Sequence, residues 1–256
     1  MAISKNAQAN HQELFPDLKS TLKVTDPEFI EIFDNFNFDE VLQHQNLELK
    51  LRMKITLASL IAMQSVNEYQ AMLNGALNVG VTPVEVKEIV YQATAYVGLG
   101  KVFDFLHATN AVFTERNISL PIEGQSTTTP ATRYEKGLDT VRQMAGDAVD
   151  KMQKNLPENE KHFAMFLADN CFGDYYTRNG LDAKTRELIT FAMLISLGGA
   201  DPQVKGHIRN NVTVGNDKET LLSAITVLLP FIGYPRTLTA LNLLNEGDCK
   251  NYPNTY

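Results

Sequence analysis

Apolar residues along this chain recur at helical rather than strand spacing. Asp26-Pro27-Glu28 offers an N-cap, a first-turn proline and an acid for the helix dipole, and Phe29, Ile32, Phe33 and Phe36 follow on one face. From Leu47 to Met63 a stripe of Leu51, Ile55, Ala58 and Ala62 is widened by Met53, Leu57 and Leu60, which predicts a largely buried helix. A further helix runs to Asn78-Val79-Gly80, where glycine can supply the C-terminal cap. Thr82-Pro83-Val84-Glu85 then has capping-box spacing and opens a helix marked by Val86, Ile89, Val90 and Ala93. Val97-Gly98-Leu99-Gly100 breaks it, and Val102 to Phe113 forms the next. Beyond a Pro- and Ser/Thr-rich stretch, Tyr134, Leu138, Val141, Met144, Ala148 and Met152 keep helical spacing in one run, followed by a helix from Pro157 through Leu167. No alternating strand pattern occurs, so the predicted class is all-α.

Leu181 to Gly215 reads as a helical hairpin with an acid, Glu187, on one arm and a histidine, His207, on the other. Its first arm repeats an earlier segment. Leu47, Lys50 and Arg52 align with Leu181, Lys184 and Arg186 at a constant offset of 134, and the register continues through Ile55-Thr56, Ala58 and Leu60-Ile61. After a one-residue insertion the offset becomes 135, pairing Val79-Gly80 with Val214-Gly215, Gly98 with Gly233 and Leu106 with Leu241. The chain is therefore expected to hold two tandem helical copies. The shared positions are mostly apolar or glycine, as a duplicated scaffold requires; the informative ones differ. Glu187 corresponds to Met53 and His207 to Met72. These patterns divide the chain into a flexible N-terminal arm at 1–20, a first copy with a degenerate site at 21–117, a linker at 118–131, a second copy with the candidate site at 132–248, and a tail at 249–256.

Composition narrows the function. A hydrophobic share of 44% and a net charge of -7 with dispersed Lys and Arg suit a folded protein without a polyanion partner, since nucleic-acid binding needs a concentrated basic face. No uninterrupted apolar run approaches the roughly 18 residues of a membrane span, and the N-terminus lacks the apolar core of a secretory signal. The expected location is cytoplasmic, with no membrane association. Cys171 and Cys249 are too far apart for a CxxC motif or a cysteine-based metal site. Cys171 beside Phe172 reads as a buried core residue and Cys249 as an exposed thiol. His11, His44, His107 and His162 lack metal-ligand spacing and read as surface or capping residues.

The segments LDAKTRELITFAMLISLGG, KGHIRNNVTVG and IGYPRTLTAL, with ALNVGVTPVEVKEIVYQATAYVGLG in the first copy, resemble the carboxymuconolactone decarboxylase family, which includes alkylhydroperoxidase D-like proteins. The resemblance spans residues 25–245 and takes a tandem two-domain form. It implies an all-helical fold assembling as a trimer or hexamer of two-copy chains. In the family's redox branch a Glu, a CxxC pair and a His form a proton relay; here Glu187 and His207 match the Glu and His, while Ala200 and Gln203 occupy the cysteine positions. A peroxidase or antioxidant role thus lacks its nucleophile. The decarboxylase branch implies chemistry without metal or organic cofactor on a small carboxylated lactone. His207 is then the general acid or base, Glu187 its orienting partner, and Arg186, Arg209 and Arg236 the candidate grips for substrate carboxylates. Glu88 and Tyr96 become Ser223 and Phe231 in the second copy, which marks them as dispensable to the scaffold. A third reading is a non-catalytic scaffold whose ligand pocket joins Met53 and Met72 to Glu187 and His207.

Overall fold

Ser4 begins a helix where the sequence suggested an irregular arm. In the computed structural model, which describes residues 2–17 and 20–246, α1 spans Lys5–Leu14 and its N-cap Ser4 accepts a hydrogen bond from the Ala7 N–H. Ala7, Leu14 and Phe15 are buried, and the helix is tied down where Ser4 N–H donates to Asn35 and Asn10 to the Phe38 carbonyl. The expectation of a flexible arm is therefore corrected. Three widely spaced apolar residues were too few to register as a pattern, yet each fills a slot in the first copy.

The elements that follow form two parallel series. In the first copy α2 (Leu22–Thr25) and α3 (Pro27–Asn35) lead through a π-turn (Phe36–Glu40) and a 3-10 turn to α4 (Leu49–Ala62), α5 (Val66–Asn78), α6 (Pro83–Val97) and α7 (Leu99–Glu115). In the second, α8 (Arg133–Ala145) and α9 (Ala148–Asn155) precede α10 (Lys161–Phe166), a π-helical segment (Leu167–Tyr176), α11 (Ala183–Leu197), α12 (Asp201–Thr213) and α13 (Lys218–Glu246). α1 packs on the first π-turn and α5 as α8 packs on the second π-segment and α12, so α1 belongs to the first copy. The helix expected to run unbroken from Tyr134 to Met152 divides at Gly146, whose φ of 62° no side chain adopts comfortably. Among the described residues all regular structure is helical.

α4 and α11 pair at the centre, joined by a buried Ser59 to Ser196 hydrogen bond of 2.8 Å. α11 is apolar nearly all round, with Leu188, Ile189, Phe191, Ala192 and Met193 fully buried. The third long helix of each copy packs on both: α6 lies against α4 and α11, and α13 against α11 and α4. Gly98 ends α6 at φ 86°, and Gly233 breaks α13 at φ 75°, so α13 corresponds to α6 and α7 together. By length and composition α13 could cross a membrane, contrary to the sequence count, because its apolar stretches join across Pro230, Gly233 and Pro235. Its break and the burial of Leu221, Ala224, Ile225, Leu228 and Leu244 account for that hydropathy as core packing.

The 118–131 segment is irregular, as expected of a linker, and is pinned to the second copy by Thr127 and Thr128 hydroxyls donating to the Thr177 and Gly173 carbonyls. Cys249 and the 249–256 tail lie outside the described residues.

Candidate functional site

Asp182 starts α11 by accepting the Thr185 N–H at 2.8 Å, which sets the rotation that turns Glu187 inward. α12 lies alongside, and Asn211 fastens the two helices by donating to the backbone carbonyls of Glu187 (3.1 Å) and His207 (2.7 Å). The result is a contact of 2.7 Å between Glu187 Oε2 and His207 Nδ1. Glu187 is fully buried, while the His207 side chain retains 15% exposure. Glu187 Oε1 has no hydrogen-bond partner among the described residues, an arrangement costing about 1–3 kcal/mol. With Nδ1 held by the carboxylate, Nε2 is the ring nitrogen left for a bound molecule.

The remaining wall comes from the first copy. Tyr96 of α6 meets the His207 ring edge-on at 5.8 Å between centroids. Its hydroxyl shares a hydrogen bond of 2.7 Å with Tyr176, whose hydroxyl reaches Thr190 at 2.7 Å, and Gln92 donates to the same Thr190 oxygen at 2.9 Å. Burial pushes both phenols well above their ordinary range, reinforced at Tyr176 by the Glu187 charge and at Tyr96 by Cys171 and Glu187. They remain neutral donors through the physiological range. Cys171 is pushed up to about 12, first by burial, with the Tyr96 hydroxyl partly opposing and the Glu187 charge adding to the rise. A thiol so placed does not form the thiolate that peroxide reduction requires.

The three arginines do not converge on this pair. Arg186, one residue before Glu187, is 1% exposed; its guanidinium donates to Gln92 (2.8 Å), Glu88 (3.0 Å) and the Arg178 and Asn179 carbonyls, which removes it from substrate binding. Burial forces that choice, since a buried cation needs a counter-charge and acceptors. Arg209 follows His207 by two residues and so points about 200° away around α12. Arg236 lines a separate cavity, described below, that contains neither Glu187 nor His207.

The first copy repeats the geometry without the acid and the histidine. Met53 and Met72 line a cavity of about 20 Å³ with Leu14, Asn37, Phe38, Leu42, Arg52, Thr56, Val227 and Phe231. Apart from Leu14 these sit at the repeat positions of Glu187, His207, Cys171, Phe172, Tyr176, Arg186, Thr190, Gln92 and Tyr96. Such a space holds at most one water. The expected mixed pocket of both methionines with Glu187 and His207 is thus corrected: the two sites are separate, because each copy's third helix covers the other copy's hairpin. Of the two residues set aside because the second copy replaces them, Tyr96 borders the second site, and Glu88 holds Arg186 in the ion pair beside it. The signal was present in register: Gln92 and Tyr96 face Glu187 and His207, whereas Val227 and Phe231 face Met53 and Met72.

The sequence profile described as the Carboxymuconolactone decarboxylase family matches residues 27–111 and 161–246, one match per copy and together about two thirds of the chain. The chain belongs to the carboxymuconolactone decarboxylase family. It is 29% identical over 115 residues to the 4-carboxymuconolactone decarboxylase of Acinetobacter baylyi, covering 44% of this chain and 85% of that protein. A second relative, an uncharacterised 15.0 kDa protein of Paracoccus denitrificans, is 29% identical over 97 residues, or 38% of this chain and 67% of its own length. The crystal structure of a candidate gamma-carboxymuconolactone decarboxylase subunit from Burkholderia xenovorans superposes with a TM-score of 0.54 at 16% identity, covering 94% of this chain and 95% of that one. That likeness establishes the two-copy fold.

Proposed function

We propose that the second copy performs cofactor-independent acid/base chemistry, a decarboxylation or related proton transfer, on a small carboxylated lactone-type molecule. The observation that carries this reading is the fully buried Glu187 carboxylate, 2.7 Å from His207 Nδ1 and present only in the second copy. Glu187 fixes the imidazole orientation through Nδ1, so Nε2 is placed to accept or deliver a proton at a bound ring. On decarboxylation the electron pair of the breaking carbon–carboxylate bond passes into the conjugated lactone, and the carbon that holds it takes a proton from His207. With Arg186 held in its ion pair and Arg236 in a separate cavity, His207 Nε2 is the group that faces a substrate carboxylate in this reading. The name of the Acinetobacter relative supports the substrate class. Incubation with 4-carboxymuconolactone and related lactone acids, followed by carbon dioxide release, tests the reading. Saturable release is expected; absence of both release and thermal stabilisation across that panel overturns it.

A peroxidase reading is weakened by Ala200 and Gln203 and by the raised pKa of the half-buried Cys171 thiol. Self-association is part of the proposal. Exposed Phe29, Ile32, Leu99 and Phe103 recur at repeat-equivalent positions as exposed Phe163, Phe166, Tyr234 and Leu238. Apolar surface duplicated in register suits contacts with further copies of the chain, as a trimer or hexamer. Phe29→Asp combined with Phe163→Asp should lower the mass measured by light scattering, and a wild-type monomer would overturn this part.

A further inference from the structure

The second copy contains a cavity of about 230 Å³ between the ends of α11, the start of α12 and the second half of α13. In the first copy the corresponding space is filled. There Tyr69 and Phe105 are fully buried, their rings edge to face at 5.1 Å, with the Tyr69 hydroxyl 2.6 Å from Thr109. At the repeat positions the second copy has Val204, Ala240 and Leu244. Two aromatic rings and a buried hydroxyl pair are thus absent, and Leu243 in place of Ala108 restores only part of their volume. An apolar space of about 150 Å³ already holds one benzene ring, so this cavity accommodates a ring with a substituent. Its floor is apolar, formed by Leu194, Ile195, Val204 and Leu243.

Arg236 also lines the cavity and forms no hydrogen bond or ion pair with any described residue. Its position is set by Gly198, where an added Cβ would lie only 3.3 Å from Arg236 Nε. Thr239 stands one turn along, its hydroxyl donating to the Pro235 carbonyl at 3.0 Å, which leaves its oxygen as an acceptor toward the cavity. The first turn of α12, at Ala200 and Asp201, also borders the space and has no side-chain cap; Pro202 carries no N–H, so only the remaining first-turn amides favour an anion. Asp201 is the one acid in the lining and favours a ligand that also carries a hydrogen-bond donor.

We propose that this cavity is a second binding site, separate from the Glu187–His207 pair, for a single-ring carboxylate. The ring occupies the space that Tyr69 and Phe105 fill in the first copy, and the carboxylate pairs with Arg236. The site does not depend on the second copy being catalytic.

The test is calorimetric titration of the full chain with benzoate and with benzyl alcohol as its neutral counterpart. Benzoate should bind saturably to the wild type and to His207→Gln with equal affinity. Ala240→Phe, which restores a first-copy ring, should abolish binding; if that variant does not fold, Val204→Tyr makes the same test. Arg236→Gln should weaken benzoate by at least about tenfold, the loss of one charge-assisted hydrogen bond, and leave benzyl alcohol unchanged. No benzoate binding to the wild type, binding that survives the ring-restoring variant, or loss of binding in His207→Gln each overturns the proposal.

Discussion

Removing Glu88 should unfold this protein more readily than any exposed substitution, although Glu88 belongs to the first copy and touches neither Glu187 nor His207. Glu88 and Arg186 are each 1% exposed, and Arg178 donates to the same carboxylate at 3.0 Å. In Glu88→Ala, Arg178 can turn toward water from its 16% exposure, but Arg186 is enclosed and its Nε already has no partner. An uncompensated buried cation costs about 3–5 kcal/mol. For a chain of this size each kcal/mol lowers Tm by about 2–4 °C, so the expected fall is roughly 6–20 °C. Guanidinium unfolding of wild type and variant gives the difference directly. The double variant Glu88→Leu with Arg186→Met should recover most of the loss, because it leaves no enclosed charge without a partner; what it still forfeits is the hydrogen bonds from Arg186 to Gln92 and to the Arg178 and Asn179 carbonyls. A Glu88→Ala variant that lost less than about 1 kcal/mol would refute the assignment of Arg186 to a structural ion pair and reopen it as a substrate grip.

Three further outcomes follow from the same geometry. Tyr96→Phe, which installs the residue found at the repeat position, Phe231, should cost about 1 kcal/mol of stability for its hydrogen bond while lowering lactone turnover about tenfold or more; unchanged turnover would remove Tyr96 from the site. In a Cys249→Ser background, Cys171 should resist iodoacetamide at pH 8–9, because its folded pKa of about 12 exceeds the ordinary thiol value. That group therefore contributes stability below about pH 9 and loses it as pH rises toward 12, and labelling at the rate of a free thiol would contradict this. Gly173→Ala should cost about 3 kcal/mol or more by denaturant melt, since its Cβ would stand 2.3 Å from the Arg133 carbonyl oxygen and force α8 off the π-segment; a neutral effect would mean that contact is loose.

The all-helical class, the duplication and the meeting of Glu187 with His207 were legible because periodicity and register are local properties of sequence. The sharing of α6 and α13 between copies was not, since no local pattern records that a helix also leans on the other copy. That sharing explains why Tyr96 and Glu88 were undervalued and why the two methionines do not share a pocket with the acid and histidine. Arg186 was misassigned for a related reason: its partners lie 94 and 98 residues earlier on α6. α1 escaped notice because its apolar residues match slots in the first copy rather than a stripe of their own.

The central claim is that proton chemistry resides in the second copy while the first is closed by packing. It is tested most directly by comparing lactone decarboxylation in His207→Gln with that in Met72→Leu, its repeat-equivalent position. The account predicts that His207→Gln loses carbon dioxide release with an almost unchanged Tm, and that Met72→Leu retains wild-type turnover. Full turnover in folded His207→Gln would contradict it.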